Sequence, residues 1–529
     1  MALHRTSDRT SDRADSGTPP STRRRARAFI GSLLACAAAL SATFAAPARA
    51  STGLRQAVAE QVPVGGPPVT GVVSDAPPDP GATTTVPVSS IVPIQAGSGP
   101  QDPTTVPVVP TSPGVTVPVT LAPSGPTTTA ASGATGTSTT RSGVTTTTTV
   151  VPGATTVVDL RARIERALAN AKAGSASVLV TIDGIGAVYE REPDGLRVPA
   201  STQKLYVAGT VLLTLGGDYH YVTEVRSSAL VGAGGVLAGD LVIKASGDPS
   251  FGVAQLRLLA DALAKGGLRT VQGGLVVDDS HFDAQTAIPS WKPSFTPGEV
   301  GVLGAFAVDG NHRNESDPGL ANLERFRAAL AAKGVTVVGA SRRGALPAGG
   351  PILASVSSAP LRDLVRQTLK KSDNTYAELL TKELGASNGA GTTANGVAVI
   401  AKEFAHLGIA APVQVDGSGL SPANRSTARG QVQWLQKLAA SSAAADLRAA
   451  LSISCVDGTL RSRMCKTAAA ARVQAKTGAL DNVVGISGYT STASGRAVTF
   501  SMLLNAVSSA TRARAAADQA LEAISAALL

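Results

Sequence analysis

Ser201 and Lys204 stand three residues apart in Pro199-Ala200-Ser201-Thr202-Gln203-Lys204, and an apolar run from Leu205 to Leu215 follows. On the opening turn of a helix, positions i and i+3 share a face with Cβ atoms about 5–6 Å apart, so the amine can reach the hydroxyl. An amine packed near apolar residues has its pKa lowered, as a general base requires. A serine at a helix start also has the macrodipole and free N–H groups aimed at developing negative charge. This is the chemistry of an activated serine nucleophile. Read alone, the same four residues describe an ordinary surface helix start.

Two further stretches could complete such a site. Ser372-Asp373-Asn374 falls between the helical patterns of Leu361, Leu364, Val365 and Leu369 and of Tyr376 to Leu384. A hydroxyl and an amide two residues apart at a helix–helix junction can both point into a cleft, although the tripeptide also reads as a plain helix cap. Lys476-Thr477-Gly478 precedes the strand pattern Val483–Thr490. On an edge strand it offers a cation and a hydroxyl, with Gly478 permitting close approach of a substrate backbone.

Other chemistries find little support. The five histidines (His4, His220, His281, His312 and His406) are scattered without metal-ligand spacing, and the three cysteines form no Cys-x-x-Cys. Zinc and dithiol redox chemistry are therefore not expected. The net charge of +10 divides as +5 in residues 1–50, −2 in 51–153 and +7 in 154–529. Spread over so long a segment, that excess makes no nucleic-acid surface.

The elements that must hold these residues follow from periodicity. Leu160, Ile164 and Leu168 predict a helix over 159–173. Val178–Ile182 and Val188–Glu190 flank Asp183-Gly184-Ile185-Gly186 as a hairpin. At the far end, Val483–Thr490 and Val498–Ala506 alternate around Ser494-Gly495, and an Ala-rich helix closes the chain from Ala510 to Leu528. Strands at both ends with helices between predict one sheet built from both ends of the chain. The middle has short strands of its own, Val236 to Lys244 and Leu275 to Asp278, and reads as an insertion.

In this order and in these local settings, the three stretches form the Ser-x-x-Lys, Ser-x-Asn, Lys-Thr-Gly set of penicillin-binding proteins and serine β-lactamases. The chain resembles the low-molecular-mass class C penicillin-binding proteins, the D-alanyl-D-alanine carboxypeptidases that also act as endopeptidases. The resemblance covers most of 157–529. It is carried also by Gly247-Asp248-Pro249-Ser250, by Asp278-Asp279-Ser280-His281-Phe282-Asp283, by Asp416-Gly417-Ser418-Gly419-Leu420-Ser421 and by Asp457-Gly458-Thr459-Leu460.

The resemblance implies an α/β (α+β) fold, with a transpeptidase-like catalytic domain over 154–223 and 356–529 interrupted by a smaller domain over 224–355. It implies Ser201 as the acylated nucleophile, Lys204 as its base and Ser372 as the proton relay to the leaving D-Ala. Asn374 would hold the substrate amide, and Lys476 and Thr477, with Gly478 beside them, the terminal carboxylate. The N–H groups of Ser201 and Ala479 would form the oxyanion hole. The implied substrates are peptidoglycan stem peptides and the implied inhibitors β-lactams, with no cofactor, no metal and no nucleic acid.

This chain departs from the family pattern at two places. Pro422 stands where relatives carry the Arg that holds the acidic end of a diaminopimelate side chain, and the acidic partner usual shortly after Trp291 is missing, Ser294 standing near its place. Recognition of that side chain is expected to be weaker or rearranged, through Arg425 or through an amidated substrate. The alternatives are a serine β-lactamase, for which no Glu-x-x-Leu-Asn stretch lies between Ser372 and Lys476, and a wall-binding module that acylates without turnover.

Arg23, Arg24, Arg25 and Arg27 precede an apolar stretch ending in Pro47-Ala48-Arg49-Ala50, the pattern of a secretory signal cleaved after Ala50. Retention as a membrane anchor is the other outcome, and Cys36 and the arginines faintly suit lipoprotein and twin-arginine variants. Residues 51–153 contain no aromatic residue and are dominated by Pro, Thr, Val, Gly and Ser, which predicts a disordered tether. Export places the chain outside the cytoplasmic membrane, in periplasm or wall, so Cys455 and Cys465 are expected to form a disulfide.

Overall fold

The computed structural model describes residues 155–345 and 350–529. The export signal expected over 1–50 and the tether expected over 51–153 lie outside the described residues. The first helix, α1 (Val157–Ala169), opens on Thr156, whose hydroxyl accepts from the Asp159 N–H while the Asp159 carboxylate reaches back to the Thr156 N–H. It leads into β1 (Ala173–Ile182) and β2 (Gly186–Arg191), the expected hairpin. A single 3-10 turn, Ala200–Gln203, then runs into α2 (Lys204–Thr214).

The middle of the chain forms two small sheets. Strands β3 (Val222–Arg226), β4 (Val236–Leu237) and β5 (Leu241–Lys244) are followed by α3 (Val253–Lys265), β6 (Thr270–Val271) and β7 (Leu275–Asp278). Next come α4 (Pro318–Ala331), β8 (Thr336–Val337), β9 (Arg342–Arg343) and β10 (Ile352–Ser357). One sheet has the order β10-β3-β5-β7-β9 and the other β4-β6-β8. The single strand expected over 236–244 is thus two strands in different sheets. Gly239 and Asp240 break it, where the Asp240 carboxylate accepts from the Gly274 N–H at 2.8 Å. Helices α3 and α4 cover this region with Leu256, Leu259, Leu263, Leu323 and Phe326, all buried. The first and last strands of this region in chain order, β3 and β10, pair with each other across the ends of the 224–355 segment.

The remaining helices are α5 (Leu361–Lys371), α6 (Asn374–Ser387), α7 (Thr393–His406), α8 (Ala428–Ala439) and α9 (Ala444–Ala450). They are followed by β11 (Ser452–Ile453), β12 (Gln474–Leu480), β13 (Val483–Ser491), β14 (Ala497–Val507) and α10 (Ala510–Ser525). The main sheet runs β11-β12-β13-β14-β1-β2, entirely antiparallel, with both ends of the chain meeting where β1 pairs with β14. Alternate side chains explain its layers. Val178, Val180, Phe500, Met502 and Leu504 face α1 and α10, while Leu179 faces Val432 of α8. Behind the other face, Tyr206, Phe404 and Trp434 pack ring against ring, with Phe404 and Trp434 stacked at 4.4 Å. No helix among the described residues is long and apolar enough to cross a membrane.

Candidate active site

Three chain breaks aim the three sequence motifs at one cavity. At the first, Ala200 holds a left-handed φ of 48° immediately before Ser201, and the α-helix begins only at Lys204. Ser201 therefore sits in the 3-10 turn ahead of the helix rather than on it. At the second, α5 ends on Ser372 at φ 60°, and Asp373 caps α6 by accepting from the Tyr376 N–H at 3.0 Å. The tripeptide does cap a helix, and the left-handed turn that ends α5 also sets Ser372 and Asn374 on the wall of a cavity. At the third, β11 pairs only with Gln474 and Ala475, so from Lys476 onward one edge of β12 is open.

The lysines are buried. Lys204 donates from Nζ to Ser201 Oγ at 2.8 Å, to Asn374 Oδ1 at 2.7 Å and to the Ser418 carbonyl at 2.6 Å. Burial brings its pKa down to about 8, while the charges of Asp416, Glu378 and Asp373 act in the opposite direction. Lys476 donates to Ser372 Oγ at 2.9 Å and to the Thr477 carbonyl at 2.7 Å. Burial, and secondarily the charge of Lys204, holds its amine well below the ordinary lysine range. Ser201 and Ser372 are thus each contacted by a buried amine of depressed basicity. That arrangement suits proton transfer at both hydroxyls.

Ser201, Ser372, Asn374, Thr477, Gly478 and Ala479 line a cavity of about 570 Å³, whose wall also includes Phe295 and Glu299. Thr477 donates its hydroxyl proton to Thr459 Oγ1 at 2.9 Å. Asn374 Nδ2 donates to the Glu299 carbonyl at 2.8 Å. Gly478 serves a different approach from the one expected. A Cβ there would stand 2.8 Å from the Pro199 carbonyl and 3.2 Å from the Thr202 N–H nitrogen, so the backbone it admits is the chain's own turn at Ser201. Among the described residues no cluster of three His, Cys, Asp or Glu could hold a metal ion.

The stretch Asp416-Gly417-Ser418-Gly419-Leu420-Ser421 has a task in the site that its local sequence does not show. Asp416 is fully buried and organises that loop, accepting from the N–H groups of Gly419 at 2.9 Å and Ser421 at 2.7 Å and from Trp291 Nε1 at 2.8 Å. The loop thereby delivers the Ser418 carbonyl to Lys204. Glu378, four residues after Asn374 on α6 and so on the same helix face, was not anticipated either. Its carboxylate accepts from the N–H groups of Gly417 and Ser418.

Pro422 removes the expected guanidinium, and Arg425 does not replace it in the cavity. Its Nη1 donates to the carbonyls of Pro422 and Asn424, at 2.5 and 2.8 Å, within its own loop. The cations on the cavity wall are Lys371, Arg463 and Arg514 instead. Arg463 is anchored by Asp518, with Nη2 to Oδ1 at 2.6 Å. Cys455 and Cys465 are joined in a disulfide with Cα atoms 4.7 Å apart. The loop it closes carries Thr459 to the cavity.

The chain matches the model of the D-Ala-D-Ala carboxypeptidase 3 (S13) family over residues 160–297 and 301–527. It is 29% identical to a D-alanyl-D-alanine carboxypeptidase of an Actinomadura species, over 63% of this chain and 78% of the relative. It is 30% identical to carboxypeptidase DacB of Mycolicibacterium smegmatis, over 65% and 80% respectively. The fold is similar to the crystal structure of penicillin binding protein 4 (dacB) from Haemophilus influenzae, with a TM-score of 0.62, 22% identity and coverage of 70% of this chain and 98% of that one. With its family model matched over most of the folded body, the chain belongs to the D-Ala-D-Ala carboxypeptidase 3 (S13) family of peptidases.

Proposed function

We propose that the cavity at Ser201 is where this serine carboxypeptidase releases the terminal D-Ala of peptidoglycan stem peptides. The neutral Lys204 amine takes the Ser201 proton as Oγ bonds to the penultimate carbonyl carbon. The negative oxygen is received by the N–H groups of Ser201 and Ala479, a donor pair in which losing one member typically costs about 2.7–4 kcal/mol. The C–N bond then breaks as the proton held by Lys204 is relayed through Ser372 to the departing amine, and water then releases the acyl chain from Ser201. Lys476 and Thr477 receive the terminal carboxylate, and Asn374 holds the substrate amide by exchanging the Glu299 carbonyl for the substrate's own.

The observation that carries this reading is the Lys204 amine, buried, of lowered basicity and 2.8 Å from Ser201 Oγ. The Actinomadura and Mycolicibacterium relatives are both named carboxypeptidases. The Haemophilus protein has also been solved with a β-lactam bound, which fits acylation of the same serine by lactams. The same reading places the chain outside the cytoplasmic membrane, where its substrate lies, by way of residues 1–50 and 51–153. It also treats 154–223 with 356–529 as the catalytic domain and 224–355 as an inserted one. The separate sheets of the middle segment favour that division, although β3 and β10 straddle its ends and its core also takes in Leu379 and Leu420 of the catalytic part.

The test is labelling by a fluorescent penicillin together with D-Ala release from a D-Ala-D-Ala peptide. Wild-type protein is expected to do both, and Ser201→Ala neither. Labelling that persisted at another serine would show the assignment to be wrong. Fast lactam hydrolysis without D-Ala release would favour a β-lactamase, and labelling without any turnover a binding module.

A further inference from the structure

When Lys204 takes the Ser201 proton it becomes an ammonium on a fully buried side chain. An isolated buried ion of this kind costs several kcal/mol unless opposite charge stands nearby. The groups that touch Nζ directly are neutral: a hydroxyl, the Asn374 amide oxygen and the Ser418 carbonyl. The charged groups facing Lys204 are Asp416 from the 416–421 loop, Glu378 and Asp373 from α6, and Lys476 from β12. Asp373 is committed to capping α6, and Lys476 is of the wrong sign. Asp416 and Glu378 are both fully buried.

These two carboxylates reach Lys204 through peptide groups. The peptide between Ser418 and Gly419 gives its N–H to Asp416 Oδ1 at 2.9 Å and accepts from Lys204 at its carbonyl. One peptide dipole thus lies with its positive end on a carboxylate and its negative end on the amine. The preceding N–H of Ser418 is held by Glu378 Oε1 at 2.7 Å, and that of Gly417 by the same oxygen at 3.1 Å. Glu378 therefore prevents the Ser418 peptide from turning away. It also adds a second negative charge on the far side of that peptide.

We propose that Glu378 and Asp416 are a positioning pair that acts on Lys204 through the Gly417–Gly419 peptides, presenting the Ser418 carbonyl and supplying countercharge to the ammonium formed during acylation. The inference rests on the acyl-transfer reading of Ser201 and Lys204 above. Neither carboxylate touches the substrate. The raised acidity range of Glu378, about 7 because of burial and the neighbouring Asp416 charge, is what two carboxyls sharing one buried space should show.

Glu378→Gln keeps an oxygen acceptor for both N–H groups and removes the charge, so it separates positioning from electrostatics. The experiment measures the acylation rate of the mature protein by a fluorescent penicillin across the pH range, for wild type, Glu378→Gln and Glu378→Asp. Removing a nearby negative charge lowers the Lys204 pKa, so the acid limb of Glu378→Gln is expected about one pH unit below that of wild type. Glu378→Asp, which withdraws the carboxylate by one methylene, is expected to move the limb the same way by a smaller step. A purely structural role would lower the rate by one factor at every pH and leave the limb in place, which overturns the proposal. Should Glu378→Gln fail to fold, an unmoved limb in Glu378→Asp overturns it equally. A wild-type protein that is not labelled at any pH would instead refute the acyl-transfer reading itself.

Discussion

Gly419 is the position where a single methyl group should separate the site from the scaffold. Its φ is +82°, and a Cβ built there would stand 2.1 Å from the Ala200 carbonyl oxygen and 3.2 Å from the Ser201 nitrogen. Alanine in a left-handed conformation costs about 1–2 kcal/mol. The contact atoms are backbone, with no flexible end to swing aside, so relief requires moving either the Ala200–Ser201 turn or the 416–421 loop, at a further cost of about 1–3 kcal/mol. Either movement disturbs the geometry that joins Ser201, Lys204 and the Ser418 carbonyl. Gly419→Ala should therefore lose about 2–5 kcal/mol of stability, and acylation by penicillin should slow on the order of 100-fold, the cost typical of a misplacement near 1 Å. Gly408→Ala is the control, since Gly408 has φ +69° with nothing within 4 Å of its Cβ position. It should show the conformational cost alone and normal acylation. Urea denaturation and stopped-flow labelling of both variants decide the matter. If Gly419→Ala were no less stable than Gly408→Ala and acylated at the wild-type rate, the loop would not press on the nucleophile turn as described.

Further outcomes follow from the same contacts. Because the base must be neutral and the Lys204 pKa is brought down to about 8, kcat/KM for D-Ala release should rise with pH through a limb centred near that value. A rate independent of pH across that range would count against Lys204 as the base. Glu378 has a carboxyl raised above its unfolded range to about 7, so folding favours its protonated form and its contribution is lost as pH rises through that value. Glu378→Gln should accordingly lose less stability than wild type between acid and mildly alkaline pH, read as urea midpoints, and parallel curves would contradict this. Replacing Cys455 and Cys465 by Ala should cost up to about 2.5–3 kcal/mol for a loop of this length and weaken substrate binding through Thr459. Two alkylatable thiols in the unreduced mature protein would rule out the bridge. Arg425→Ala should leave turnover of free-acid and amidated stem peptides in their wild-type ratio, because its guanidinium serves loop carbonyls; a changed ratio would return Arg425 to side-chain recognition.

Much of this protein was legible in one dimension because its chemistry is written in short-range spacing. The i, i+3 relation of Ser201 and Lys204, the helix junction at Ser372 and the strand at Lys476 each depend on a few neighbouring residues, and local periodicity predicted the elements that hold them. The terminal hairpin, β13, β14 and the last helix were readable for the same reason, since alternation and helical spacing report which face is apolar. What stayed hidden depends on residues far apart in the chain. The break at Gly239 and Asp240 places β4 and β5 in different sheets through a contact with Gly274, which no window of local sequence contains. Gly478 looked like an opening for substrate, yet its missing Cβ accommodates Pro199 and Thr202.

The electrostatics are the sharpest case. Spacing determined that an amine and a hydroxyl could meet, and the family resemblance carried their order. Only the tertiary structure decided that the amine would be fully buried, that Trp291 and the Gly419 and Ser421 N–H groups would hold Asp416, and that Glu378 would stand behind the Ser418 peptide. Charge on a buried group is governed by desolvation and by partners within a few ångströms. Those partners come here from segments more than 170 residues away along the chain from Lys204 (Glu378 and Asp416), so their effect on its basicity exists only once the chain is folded.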